Sequence, residues 1–232
     1  MTQQETPEDT PQILEKLRKD KESHTYPVCG QDFLVFPNVF SPKYFGDTEF
    51  YADKVPFVAG SIKDKKILEI GPGIGALAVI LAQKGAKVTA VDINQDAVLN
   101  TQANADKFNM TEKIAVLAGD IYKPLSKQDK FDIIFWNLPF GFIEEKELDP
   151  LEKSTFDPLY KSSDVFFKQA EDYLLAGGRL LYGFSTSYGN SKELEKILGL
   201  YGYKSKLLIA EDFKSDLGNF IRYELFEAEK TL

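Results

Sequence analysis

Three glycines, Gly71, Gly73 and Gly75, follow an apolar run over residues 67–70, and Asp92 closes a second apolar run 17 residues beyond Gly75. Residues without side chains let a backbone turn tightly and approach a ligand closely, and an acid at the tip of the next strand can accept both hydroxyls of a ribose. A glycine turn by itself is equally an ordinary strand-to-helix connection; between two buried strands and followed by Asp92, it reads as a nucleoside site. The spacing GxGxG rather than GxGxxG, and Glu69 just ahead of the first glycine, favour S-adenosylmethionine over a nicotinamide dinucleotide. A carboxylate there suits an ammonium and repels a pyrophosphate. Gly119-Asp120 ends a further apolar run, 114–118, where an acid can accept from an adenine amino group; the plain alternative is a turn.

The sharpest chemistry lies in Asn137-Leu138-Pro139-Phe140, directly after the apolar stretch 131–136. An amide at that point lands at the carboxyl edge of the sheet, where open α/β folds bind ligands. Pro139 biases Leu138 toward an extended backbone and so aims its carbonyl. The side-chain oxygen of Asn137 and the carbonyl of Leu138 can accept the two hydrogens of a planar NH2 group, with Phe140 as a flat wall. Its lone pair then points out of the plane toward a methyl donor. A carboxamide nitrogen is a poor nucleophile and no strong base is evident, so orientation and exclusion of water must supply most of the rate. Taken alone, the stretch is an Asn-x-Pro turn.

The elements that must hold these residues alternate. After a polar tail over 1–10, the spacing of Ile13, Leu14 and Leu17 predicts a short amphipathic helix, and alternation over 26–39 about Cys29-Gly30-Gln31 predicts a hairpin. Asp47-Thr48 precedes a helix, where either residue serves as an N-cap. Beyond the glycine unit come a helix over 95–108, strands over 114–118 and 131–137, and a helix over 164–175 with Ala176-Gly177-Gly178 as its stop. A strand over 179–184, a helix over 191–201 and two strands over 204–213 and 221–228, joined by a loop containing Gly218, complete the order. The predicted fold is α/β: a seven-stranded, mostly parallel, doubly wound sheet with a C-terminal antiparallel strand pair. An N-terminal extension over 1–60 is expected to precede the cofactor-binding domain at 61–232.

Composition narrows the setting. The 232 residues are 43% hydrophobic and 28% charged, enough for one sizeable core. A single cysteine, Cys29, excludes an intramolecular disulfide and a cysteine metal cage; no metal is expected, and a reducing, cytoplasmic location is the default. Neither a secretion signal nor a membrane-spanning run is present. The net charge of -8 opposes strong non-specific binding to nucleic acid, and the lysines at 63, 65, 66, 204 and 206 read as solvated surface.

With these residues assembled, the chain resembles the class I S-adenosylmethionine-dependent methyltransferases, and within them the HemK-type glutamine methyltransferases and related "small" methyltransferases of ribosomal RNA. The carriers are EIGPGIG, VDIN, GDIYKPL, NLPF for the family's NPPY or NPPF, and the segment VFSPKYFGDTEFYAD, over about residues 39–227. The resemblance implies a Rossmann-like fold, with Glu69, Gly71, Gly73 and Gly75 at the methionine end of the cofactor and Asp92 on the ribose. It places Ile93 against the adenine, Asp120 and Ile121 at its edge, Thr48 beside the pocket, and Asn137, Leu138, Pro139 and Phe140 at the acceptor nitrogen. Leu138 stands where the family has its first proline, and Trp136 where it usually has a small residue.

The expected activity is N-methylation of a planar amide or amine, first of a protein glutamine. Alternatives are the exocyclic amine of an RNA base, a non-catalytic cofactor-binding adaptor and, most distantly, a nicotinamide dehydrogenase. Residues 144–162, mixed in charge and carrying Pro150 and Pro158, are either a lid or a plain surface connection. Oligomeric state is left open.

Overall fold

The computed structural model describes residues 10–214 and 220–231. The N-terminal tail up to residue 9 and the loop around Gly218 lie outside the described residues. In chain order the elements are α1 (Thr10–Lys19), β1 (His24–Val28), β2 (Gln31–Val35), α2 (Asp47–Ala59), β3 (Lys66–Ile70), α3 (Ala76–Gln83), β4 (Lys87–Asp92), α4 (Gln95–Lys107) and β5 (Ile114–Ala118). They continue with β6 (Phe131–Asn137), β7 (Gly141–Ile143), β8 (Phe156–Pro158), α5 (Lys161–Gln169), β9 (Leu174–Phe184), α6 (Ser191–Leu200), β10 (Tyr203–Lys214) and β11 (Phe220–Lys230).

The main sheet has seven strands in the order β10-β11-β9-β6-β3-β4-β5. β5, β4, β3, β6 and β9 run parallel, and β11 is antiparallel to both β9 and β10. The chain order reverses between β3 and β6, so β4 leaves toward one edge and β6 toward the other. That divide opens a crevice at the carboxyl ends of these strands.

Strand alternation decides what faces the crevice. On β6, Ile133 and Phe135 enter the core shared with α2, α3 and α4, while Ile134 and Trp136 enter the core beneath α5 and α6. Asn137, two residues after Phe135, therefore falls on the α2 side. By the same count Glu69 follows Ile67, and Asp92 follows Val88 and Ala90, onto that side. The helix α3, ALAVILAQ, is buried on nearly every face because the sheet lies below it and α2 and α4 flank it.

The hairpin β1–β2 shares this core through Val28, Phe33 and Val35. It is also pinned to α4. Asn104 Oδ1 accepts from the Leu34 N–H at 2.8 Å and Asn100 Oδ1 from the Phe36 N–H at 2.8 Å. Both amides are fully buried, which is tolerable because the hairpin backbone satisfies them.

Two elements, α5 and β9, differ from their predicted form, and the short strands β7 and β8 are not among the predicted elements. α5 starts earlier, at Lys161, and ends at Gln169, followed by a 3-10 turn over Ala170–Asp172. Ala176-Gly177-Gly178 lies within β9 instead of stopping a helix. The β6–β9 register jumps from Phe131↔Leu174 to Ile133↔Arg179, and Gly177 at φ 75° carries the chain through that bulge. Helical spacing continued past the true end because Tyr173, whose ring stacks on Tyr122 at 4.6 Å, and Leu174, the first residue of β9, are apolar for contacts outside the helix. Among the described residues no helix is long and apolar enough to cross a membrane, and no cluster of three or more His, Cys, Asp or Glu can hold a metal.

Candidate cofactor and acceptor site

A cleft of about 360 Å³ opens at the carboxyl ends of β3, β4, β5 and β6, within the size range of small-ligand sites. Of the residues singled out by sequence, it brings together Thr48, Glu69, Gly71, Gly73, Asp92, Ile93, Asp120, Ile121, Asn137 and Pro139. Gly75, Leu138 and Phe140 stand behind its wall.

The glycine loop is shaped by close contacts. Gly71, Gly73 and Gly75 all have positive φ, at 64°, 58° and 77°. At Gly71 a Cβ would lie 3.1 Å from the Trp136 indole nitrogen, and at Gly75 it would lie 2.8 Å from the Thr101 methyl. Gly75 thus serves the contact between α3 and α4, not the cleft surface. Trp136 is buried, lines the cleft floor beside Gly71 and meets the Phe166 ring edge-on at 5.3 Å between centroids.

Three buried carboxylates surround the space. Glu69 is 4% exposed and its Oε2 has no hydrogen-bond partner. Burial, with the neighbouring charge of Asp92 adding to it, pushes its carboxyl up to about 8, although the Ala78 backbone N–H at the start of α3 pulls the other way. Asp92 accepts from Asn94 N–H at 2.8 Å and Gly73 N–H at 3.2 Å, and burial still raises it to about 6. Asp47, the first residue of α2, is 3% exposed and is likewise raised to about 6 by burial, against the hydrogen bonds it receives.

At the far end of the cleft, Asn137 Nδ2 donates to Asp47 Oδ2 at 2.8 Å, while Asn137 Oδ1 is buried without a partner. Leu138 is turned into the α5 and α6 core, and its N–H donates to the Gly183 carbonyl at 3.1 Å. The Phe140 ring leans on Phe184 at 6.4 Å, and its carbonyl accepts from Tyr160 Oη at 2.7 Å. That packing takes the ring away from the cleft surface. Just past the end of β5, Asp120 pairs with Lys123 at 2.7 Å. Ile121 has φ 52°, a costly backbone for a β-branched residue, and is buried with its side chain at the cleft.

Several lining residues were not singled out from sequence: Phe40, Tyr51, Phe135, Leu148, Leu151 and Phe156 among them. Residues within 146–154 also line the cleft, and α1 packs against that segment. Ile13, Leu14 and Leu17 pack with Phe45 and Leu151, and Arg18 bonds Asp149 at 2.6 Å. Asp47 was legible as a helix cap and as part of the family-like segment, without a role of its own. In the structure the cap is Gly46, which has no side chain, and the Asp47 carboxylate reaches across to β6.

The residues present fit S-adenosylmethionine. Its ammonium would meet the unpartnered oxygen of Glu69, its ribose hydroxyls the remaining lone pairs of Asp92, and its adenine the surfaces of Ile93 and Ile121 beside Asp120. Fold and cleft together define an S-adenosylmethionine-dependent methyltransferase domain.

The comparisons agree. Residues 31–206 match the family model "Methyltransferase small domain", and the chain belongs to that family. Over 180 residues it is 28% identical to the release factor glutamine methyltransferase of Fusobacterium nucleatum, covering 73% of this chain and 49% of the relative. Over 192 residues it is 28% identical to that of Geobacter sulfurreducens, covering 76% and 62%. Against the first curated relatives it matches, the chain spans 28% to 49% of their length.

Among solved structures, the 16S rRNA N2 G1207 methyltransferase of T. thermophilus, in complex with AdoMet and guanosine, superposes with TM-score 0.64 at 23% identity. It covers 90% of this chain and 50% of its own. The ribosomal protein L11 methylase of Lactobacillus delbrueckii gives 0.58 at 17%, covering 85% and 84%. One neighbour is named for RNA and the other for protein, so the shared fold carries no choice of acceptor.

Proposed function

We propose that this chain transfers a methyl group to the planar NH2 of a protein glutamine side chain. The observation that carries the reading is Asn137: the residue lines the cleft, its oxygen is buried and unpartnered, and its NH2 is already committed to Asp47. A buried acceptor left alone is costly, and an NH2 from a bound ligand supplies the missing donor. S-adenosylmethionine, when bound, supplies an electrophilic sulfonium methyl. The Asn137 oxygen takes one of the acceptor's two hydrogens, which orients its plane and lone pair; Leu138, behind the cleft wall, does not line the site in this structure. Residues within 146–154 and Phe156 line the cleft, where closing over a bound ligand would exclude water. Transfer forms an N–C bond as the S–C bond breaks, and one proton leaves the acceptor nitrogen for solvent. Positioning supplies most of the rate.

Glutamine is favoured by the relatives that match over most of this chain, which bear that substrate in their names. The second reading is an exocyclic amine of an RNA base, which offers the same flat NH2 and is favoured by the neighbour whose complex holds guanosine. Net charge weighs against it, because a chain at -8 needs a local basic groove or a basic partner to hold RNA.

The test is methyl transfer from labelled cofactor to glutamine-containing peptides and to structured RNA, with mass spectrometry locating the product. Methyl on a glutamine nitrogen, insensitive to moderate salt, is the expected result. Methylation of RNA alone, falling steeply with salt, selects the second reading; cofactor binding with transfer to neither sinks both.

A further inference from the structure

A primary carboxamide has nearly the same shape on both sides, oxygen on one and NH2 on the other, and only the oxygen can accept from a methyl acceptor's NH2. Which way Asn137 is turned therefore decides whether the site holds its acceptor at all. We propose that Asp47 is a positioning residue for the transfer: its carboxylate takes the Asn137 NH2 and thereby sets the Asn137 oxygen toward the acceptor nitrogen. This rests on the N-methyltransferase reading above.

The geometry leaves Asn137 one orientation. Asp47 Oδ1 accepts from the Thr48 backbone N–H at 2.8 Å, and Oδ2 accepts from Asn137 Nδ2 at 2.8 Å. A carboxylate has no hydrogen to give, so turning the amide by half a circle would set two acceptors against each other in a buried site. The carboxylate itself is held by its place at the first turn of α2, where unsatisfied backbone N–H groups favour negative charge. On the other side, Asn137 pairs in register with Gly183 of β9, and a Cβ there would lie 2.7 Å from Asn137 Oδ1 and 2.3 Å from Tyr51 Cζ. The bare glycine leaves room for both side chains. Two elements 90 residues apart in sequence thus meet through one hydrogen bond whose direction chemistry requires.

A role in folding alone makes different predictions from a role in orientation, and exchanging the two side chains separates them. In Asp47→Asn, Oδ1 stays with the Thr48 N–H, so the new NH2 faces position 137 and turns the Asn137 oxygen away from the acceptor. The expected result is a fall in kcat of roughly tenfold to a hundredfold with cofactor affinity kept within about twofold. In the double variant Asp47→Asn with Asn137→Asp, the amide at 47 donates to a carboxylate at 137 whose second oxygen is free for the acceptor. That variant is expected to regain about tenfold of the lost kcat, which no general loss of stability would reverse. In the wild type, NMR should show a scalar coupling across the hydrogen bond between Asn137 Nδ2 and the Asp47 carboxyl carbon.

Wild-type transfer together with unchanged kcat in Asp47→Asn overturns the role of Asp47 and leaves the methyltransferase reading standing. Absence of the coupling overturns it as well, whatever the variants do. No transfer by the wild type to peptide or RNA overturns both. A double variant no better than Asp47→Asn, with folding intact, also refutes the role.

Discussion

The Oδ2 atom of Asp92 accepts a hydrogen bond from the Gly73 backbone N–H at 3.2 Å, tying the tip of β4 to the loop that follows β3. Its other oxygen accepts from Asn94 at 2.8 Å, where α4 begins. One carboxylate thus braces the glycine loop while lining the cleft. Asn137 lies at the end of β6 and, among the described residues, shares no hydrogen bond with either loop.

That separation predicts a division of labour. Asp92→Ala removes charge-assisted hydrogen bonds and is expected to weaken S-adenosylmethionine by roughly 1–3 kcal/mol. Asn137→Ala is expected to abolish transfer while leaving cofactor affinity within about twofold. Calorimetric titration of both variants checks this. Equal loss of cofactor binding in the two would refute the division.

The buried carboxylates predict how stability responds to pH. Glu69 is raised to about 8, and Asp92 and Asp47 to about 6, all above their ordinary values. Between about pH 4 and those values the folded chain holds more protons than the unfolded one, so stability contributed by these groups falls as pH rises. The cofactor-free protein should melt at a higher temperature near pH 5 than near pH 8, and Glu69→Gln should flatten the decline above about pH 6. Because an ammonium favours ionised Glu69, cofactor binding at neutral pH should release protons. Calorimetry in buffers of different ionisation enthalpy reads that release directly; proton uptake would contradict it.

How far the chain was legible before its structure follows from the range of the forces involved. Glycine spacing, Asp92 at a strand tip and the apolar stretch before Asn137 are local signals, and β3, β4, β5 and β6 carry them where sequence placed them. The antiparallel β10–β11 pair was readable for the same reason. The role of Asp47 was not, because its partner lies 90 residues away and an acid before a helix has a sufficient local explanation. The turn of the Phe140 ring toward Phe184, and the burial of Leu138, depend on contacts with β9 that no spacing within NLPF encodes.

Gly183 predicts a steric test of the acceptor end. A methyl group there would meet Tyr51 Cζ at 2.3 Å and Asn137 Oδ1 at 2.7 Å, and Tyr51 is itself held by a hydrogen bond from its Oη to the Glu224 carbonyl at 3.2 Å. Gly183→Ala is expected to cost about 1–3 kcal/mol of stability through overpacking and to cut transfer by displacing the Asn137 oxygen. Adding Tyr51→Leu should recover part of the stability. Unchanged melting and turnover in Gly183→Ala would show that the strand absorbs the methyl without moving either side chain.

The last prediction concerns the segment 146–154. Leu14 is 2% exposed and packs in the cluster that contains Leu151, and Leu151 also lines the cleft. Arg18 reaches the same segment through Asp149 and, at 3.5 Å, Glu152, but the closer pair is solvated, its side chains 41% and 46% exposed. An exposed ion pair contributes about 0–1 kcal/mol, whereas truncating a buried leucine costs about 2–5 kcal/mol. Apolar packing, not the salt bridge, should therefore hold residues 146–154 at the cleft. Leu14→Ala is expected to speed cofactor dissociation severalfold in stopped-flow measurements, and Arg18→Ala to change it by less than about twofold. Equal effects from the two would mean that the ion pair holds the segment, and no effect from Leu14→Ala that α1 does not hold it at all.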